Sequence, residues 1–272
     1  IADSNFGMYS EDIETCTHLA ESREKYGWPE YIHVATGKNQ KERVLKAASI
    51  VDGALRLSGS VQSLNPVVQE NIKRKNISAD GLIDLALSAQ QINANSYSEI
   101  ILGLPGESKS SHFETVKKII NAGFNNIYLF QLMMLPGSEL ANKETIRKYE
   151  MDIRYRILPR CYGRYPIREG YIGAAEIEAI CVATDSLSYD DYLACRFMHL
   201  VVTIFYNDGL YGTLLQLIKM RGLSPWDWIE VLMGLDVGPD LDRLYCQFKV
   251  ATENELWSDS NELEKFVDQP GA

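Results

Sequence analysis

The chain lacks any pair of cysteines close enough in sequence to act together. It has five, Cys16, Cys161, Cys181, Cys195 and Cys246, with no CxxC or CxxxCxxC spacing among them. An odd count at wide intervals suggests neither a disulfide framework nor a cysteine metal site. Buried structural thiols in a reducing cytoplasm are the expectation. Long apolar runs are missing too. The longest strongly apolar stretch, residues 200–206, follows Arg196 and His199 and is too short to span a membrane. Positive charge is scarce. The 27 Lys and Arg face 37 Asp and Glu, a formal net charge of −10, which is not the footprint of a general nucleic-acid binder. His18, His33, His112 and His199 are scattered, and none stands at metal spacing from a carboxylate or cysteine. Walker A loops and nucleophile elbows are absent.

What is present is alternation. Residues 31–35, 54–60, 97–102 and 127–133 read as strands, with a stub at 1–2. Helical patterns fill the intervals at 10–26, 39–51, 66–72, 78–93 and 110–122. Asn65-Pro66 is a cap followed by proline at the first helical position, and Gly123 stands just past a helix end. Such alternation predicts βαβ units and a parallel sheet. Each cluster of special residues follows a strand, so parallel strands would gather them on one rim, as in a barrel. After about residue 149 the pattern changes. Residues 154–168 interleave Arg and Tyr and suggest an irregular hairpin, read as a structural element balancing acidic neighbours rather than a lid over the rim. Residues 174–183 and 189–206 read as helices, Gly209, Gly212 and Gly222 punctuate further helical segments, and the tail after Ala251 is acidic. The expected division is therefore 1–148 and a mainly α-helical 149–272.

Two strand ends carry the most information: Ser58-Gly-Ser-Val-Gln-Ser-Leu-Asn-Pro66, running on to Arg74, and Glu99-Ile-Ile-Leu-Gly-Leu-Pro-Gly-Glu107. Together they resemble the fourth and fifth strands of the radical S-adenosylmethionine (SAM) enzymes, and most of all those with a B12-binding domain. The resemblance spans about residues 1–140. It implies an α/β fold: an incomplete parallel (β/α) TIM-type barrel of the radical SAM kind, entered near the end of its second strand and followed by a helical extension. In the family a glutamine touches the SAM ribose and an arginine twelve residues on pairs with the methionyl carboxylate. Gln62 and Arg74 match that separation, with Ser60 beside them. A guanidinium fork suits a carboxylate. Taken alone, Lys73-Arg74-Lys75 is a solvated charge run; the matching Gln62 favours the SAM role.

Glu99 and Ile101 match the family's ribose-facing acid and adenine-facing aliphatic residue, and Gly103 allows close backbone approach. A rim salt bridge for Glu99 and ordinary core for Ile101 are the plain alternatives. Glu107 falls one residue later than the family's glutamate. Asp3, Ser4 and Asn5 stand where the family holds the SAM ammonium, or they cap a turn. Lys38 would meet the SAM carboxylate or a substrate anion, and Gln131 is a further rim candidate.

The resemblance implies a [4Fe–4S] cluster on three cysteines of a CxxxCxxC loop, which reduces SAM to start radical chemistry. Those cysteines are not in this chain, so the chain reads as an inactive fragment, with the triplet expected about one βαβ unit upstream. A cobalamin domain upstream is implied for the nearest relatives. The expected partner is a small-molecule substrate, with neither nucleic acid nor membrane, and with self-association through an open barrel edge as a further expectation. The rival is a partial-barrel module that binds a metabolite or partner without catalysis. An ordinary TIM-barrel lyase is a third reading, for which Lys38 would be the sole interior lysine.

Overall fold

The computed structural model describes residues 1–37, 39–74, 79–92, 94–236 and 238–267. The first helix, α1 (Ser10–Tyr26), is capped from Tyr9 rather than Ser10. Asp12 Oδ2 accepts from the N–H groups of Gly7 (2.8 Å) and Tyr9 (3.0 Å), which ties the preceding turn to the helix. α2 (Lys41–Ile50) follows, then the short strand β1 (Leu57–Ser58) and α3 (Pro66–Asn71). Asn65 caps α3 as expected, its side chain accepting from Val67 and Val68. α4 (Ala79–Gln91), β2 (Ser96–Leu102), α5 (Lys109–Ala122), β3 (Asn126–Gln131) and α6 (Lys143–Lys148) complete the alternating part. Gly123 ends α5 at φ +91°, the left-handed turn that its position in the sequence suggested.

β1, β2 and β3 form a parallel sheet in that order. Leu57 lies opposite Ser96, and β2 runs beside β3 from Tyr97–Asn126 to Leu102–Gln131. Single bridges extend this sheet: Ile32 to Leu55 and Phe6 to Thr36 on one side, Gln62 to Ile100 at the strand end. The predicted strand at 31–35 is therefore an extended segment with isolated bridges, with Ile32 and Val34 buried and Tyr31 and His33 exposed. Among the described residues the sheet stays open and does not close into a TIM-type barrel.

One face of β2, Ser96, Ser98, Ile100 and Leu102, is fully buried. Ile100 joins Val116, Ile119 and Ile120 of α5 and Val201 and Val202 of a later helix, α7 (Tyr189–Phe205), in the main core. The opposite face, Tyr97, Glu99 and Ile101, is half-buried. Buried Asn207 holds the start of β3, accepting from Ile127 N–H and donating to its carbonyl, both at 2.9 Å.

The region after 148 departs from the expectation at residues 174–183. It opens with β4 (Asp152–Ile167) and β5 (Gly170–Ala183), a long antiparallel hairpin whose first strand covers the irregular hairpin expected at 154–168 and whose second strand replaces the expected helix. Ala174, Ala175 and Ala179 make residues 174–183 look helical, but Ile177, Ile180 and Val182 are β-branched. The deciding factor is a waiting partner. Met134 N–H bonds to Ala179 O (2.8 Å) and Cys181 N–H to Leu132 O (2.9 Å), so β5 is bridged to the segment just after β3, while β4 and β5 form their own two-stranded sheet. Helices then follow: α7 (Tyr189–Phe205), a short 3₁₀ turn, α8 (Gly212–Met220), α9 (Pro225–Gly234), α10 (Pro239–Asn254) and α11 (Ser260–Val267). No helix among the described residues is long and apolar enough to cross a membrane.

Candidate functional site

The strand ends bring four of the expected residues together. Gln62 takes φ +62°, a backbone region costly for a residue with a side chain. In that conformation its N–H reaches Glu99 O (2.8 Å) and its carbonyl accepts from Ile101 N–H (2.9 Å). The Gln62 backbone is thus fastened between Glu99 and Ile101, the two residues of β2 expected to face the ribose and the adenine. Arg74 arrives from the turn after α3, where Lys73 at φ +53° reverses the chain. Its Nη2 lies 3.4 Å from Ser60 O. Burial lowers the Arg74 pKa, and the nearby Glu99 carboxylate offsets only part of that. Lys73, by contrast, is exposed and pairs with Glu139. The two described members of the basic run are therefore split, Lys73 solvated and Arg74 turned toward Ser60, while Lys75 lies outside the described residues.

Ser60 Oγ lies 2.9 Å from Ser58 Oγ, and Thr36 Oγ1 accepts from Ser58 N–H at 2.9 Å. Ile101 is half-buried against the cluster of Val68, Leu104 and Leu132. Gly103 takes φ +91°, and a Cβ there would lie 3.1 Å from Cys181 O. Its N–H donates to Glu107 Oε2 at 2.9 Å. Glu107, out of step with the family spacing, is fully buried and acts on the turn rather than at the open face.

Other expected residues stand apart. The side-chain hydrogen bonds of Asp3, Ser4 and Asn5 stay in one exposed turn: Asp3 Oδ1 accepts from Asn5 N–H (2.7 Å), and Asn5 Nδ2 donates to Ser4 Oγ (3.2 Å). Gln131 is engaged by the hairpin, its Oε1 accepting from Arg156 Nη2 at 2.9 Å. Lys38 lies outside the described residues.

Sequence reasoning missed the aromatic lining of the open face. Tyr128 and Phe130, 37% and 48% exposed, lie opposite Glu99 and Ile101 in register. Arg56 sits over the rings of Tyr97 (5.5 Å) and Tyr128 (5.7 Å). Both faces of residues 126–131 carry apolar side chains, so alternation could not tell which face was open. Also missed was a buried chain from Glu107 to His112 (3.0 Å) to His199 (2.7 Å).

The cysteines do not fit a cluster. Among the described residues no three His, Cys, Asp or Glu gather as metal ligands. Burial pushes the Cys16 thiol up to about 11 and the Cys181 thiol up to about 12, and raises Cys195 as well. Such thiols resist becoming the thiolates that ligate iron.

No family model matches the chain. Among curated proteins it is 30% identical over 259 residues to the cobalamin-dependent radical SAM methyltransferase TokK of Streptomyces tokunonensis, covering 92% of this chain and 37% of that protein. It is also 30% identical over 217 residues to the 2-(S-pantetheinyl)-carbapenam-3-carboxylate methyltransferase of Streptantibioticus cattleyicolor, covering 78% of this chain and 31% of that protein. The chain spans about a third of the length of these relatives. Solved structures that it resembles include coproporphyrinogen III oxidase (HemN) of Escherichia coli, a radical SAM enzyme, at TM-score 0.33 and 25% identity, over 36% of this chain and 23% of that one. Another is the radical SAM methyltransferase TsrM of Kitasatospora setae, at TM-score 0.36 and 10% identity, over 48% and 26%. The chain is a homologue of a cobalamin-dependent radical SAM methyltransferase and of a second curated methyltransferase.

Proposed function

We propose that this chain supplies the SAM-binding strand ends of a radical SAM enzyme acting on a small-molecule substrate, with methyl transfer as the reaction class suggested by its relatives. The observation that carries the reading is the convergence of Arg74, Ser60, Gln62 and Glu99 where the loop after β1 lies along β2. These groups match the parts of SAM. Arg74 offers donors to the carboxylate, Glu99 and Gln62 offer acceptors to the ribose hydroxyls, and half-buried Ile101 beside Gly103 offers an apolar wall to the adenine. Asp3, Ser4 and Asn5 stay as candidates for the ammonium, and Lys38 for the carboxylate or a substrate anion. When bound, SAM would supply the radical or the methyl group, at a [4Fe–4S] cluster held outside this chain and with cobalamin from another domain. The reading keeps the cytoplasm as the compartment. Self-association would run through the open edge of the sheet.

The test is calorimetric SAM titration of the cluster-loaded parent polypeptide. Arg74→Ala removes a charge-assisted pair and should cost about 1.5–3 kcal/mol of SAM affinity. Arg74→Lys should recover only part, because a point charge does not reproduce the fork. Unchanged SAM binding in Arg74→Ala would return the residue to the solvated charge run and remove the site's anchor.

A further inference from the structure

We infer that Glu107, His112 and His199 form a hydrogen-bonded strut that positions the Gly103 turn, which makes His199 of α7 a positioning residue for the ligand packed there; that this ligand is SAM rests on the reading above.

The strut begins at the turn itself. Glu107 Oε2 accepts from Gly103 N–H at 2.9 Å, and Oε1 lies 3.0 Å from His112 Nδ1. His112 Nε2 then faces His199 Nε2 at 2.7 Å, across 87 residues of sequence. Glu107 and His112 are 0% exposed and His199 is 2% exposed. With His112 Nδ1 as the donor to Glu107 Oε1, its Nε2 is left to face His199. Two ring nitrogens at 2.7 Å cannot both be bare or both protonated, so the pair shares one proton. His199 is neutral: burial, then His112 and Arg196, hold its pKa well below the usual histidine value. Its Nδ1 is buried with no partner among the described residues. The bond to His112 is therefore the sole side-chain hydrogen bond that His199 makes there.

The turn has reason to need such a support. Gly103 is in the left-handed region and lies against the backbone of Cys181 in β5. β5 holds it from one side, Glu107 from the other. α7 packs behind both, with Tyr192 and Cys195 in one cluster with Leu102. α7 thus reaches the strand end through one line of polar contacts in an apolar surround. A low dielectric strengthens each link and makes a missing link costly.

A pair of core histidines that merely satisfy each other would lower global stability when broken and leave the turn no worse than its neighbours. The strut requires a local effect. In the 272-residue chain, His199→Phe keeps a ring but removes the shared proton, and His199→Gln restores a group able to bond. Amide hydrogen exchange is read at Gly103 and, as the internal reference, at Ile101. With the strut, Gly103 exchanges about tenfold faster in His199→Phe relative to Ile101, about one lost hydrogen bond's worth, and His199→Gln recovers part of it. If Gly103 and Ile101 lose protection in equal measure, the histidines are ordinary core and the strut is wrong. Should His199→Phe fail to fold, Glu107→Gln weakens the opposite end and the same exchange ratio decides. SAM titration of the loaded parent polypeptide separates the two inferences. A selective Gly103 effect with weakened SAM binding supports both; a selective effect with unchanged SAM binding supports the strut and overturns SAM as the ligand of this turn.

Discussion

Arg156 is the residue whose loss should damage the fold most. It is 8% exposed, and Glu178 beside it is 7% exposed. Its Nε donates to Glu178 Oε1 at 2.6 Å, Nη1 to Glu255 Oε1 at 2.9 Å and Nη2 to Gln131 Oε1 at 2.9 Å. These contacts join both hairpin strands to the end of β3 and to the loop after α10. Burial works against the guanidinium's charge, but Glu255 and Glu178 outweigh it and raise its pKa overall. Arg156→Met leaves the Glu178 carboxylate buried without its cation, which costs about 3–5 kcal/mol. Glu255 is about a third exposed and adds less than about 1 kcal/mol after screening. The expected loss is therefore about 4 kcal/mol, a large share of a stability that is commonly about 5–15 kcal/mol. Urea unfolding followed by circular dichroism measures it. Combining Arg156→Met with Glu178→Leu removes the stranded charge and should recover most of the loss. Arg154→Met is the internal control, because the Arg154–Asp152 pair is 38% and 39% exposed and should contribute under about 1 kcal/mol. A loss below about 1 kcal/mol for Arg156→Met, or a double variant no better than the single, would refute the claim of a buried, charge-balanced junction.

Two further outcomes follow from the strut and its turn. His199 is held neutral while an unfolded histidine takes up a proton near pH 6.5. The unfolded state therefore binds more protons below that pH, and stability falls as pH drops, by up to about 1.4 kcal/mol per unit from this group. The groups acting on it are His112 from α5 and Arg196 from its own helix. Urea titrations at pH 7.5 and pH 5 should show a smaller drop for His199→Phe than for the parent; equal drops would mean that His199 is not the buried neutral group described. Gly103→Ala combines a positive φ with a Cβ 3.1 Å from Cys181 O. It should destabilise by on the order of 1–3 kcal/mol in thermal unfolding, and a neutral result would show that the turn relaxes freely.

Much of the alternating half was legible because its signals are local. Asn65-Pro66 caps α3 through the side chain beside it, and Gly123 ends α5 because only a glycine takes that turn cheaply. Offsets within one strand were equally readable. Glu99 and Ile101 share a face by period two, and Arg74 follows Gln62 by one short helix and a turn. The extended segment at 31–35 was over-read, since alternation shows which side is buried but not whether a neighbour supplies a ladder. The second strand of the hairpin was misread for the converse reason. Residues 174–183 have no decisive preference of their own, and Leu132 to Met134 chose for them by offering backbone partners.

What the sequence determined by itself is thus the set of strand-end loops and the groups they deliver, because short-range sterics and periodicity need only neighbouring residues. Tertiary structure alone decided which of those groups meet. Arg74 turns toward Ser60 and Glu99 while Lys73 turns away to Glu139. Gln131 is taken by Arg156, and Glu107 leaves the open face to hold Gly103 and His112. The His112–His199 contact joins residues on two helices far apart in the chain, and no local pattern encodes it. Burial is the physical reason. A polar group removed from water must find a partner, and which partner lies within reach is set by how the helices pack rather than by its sequence neighbours.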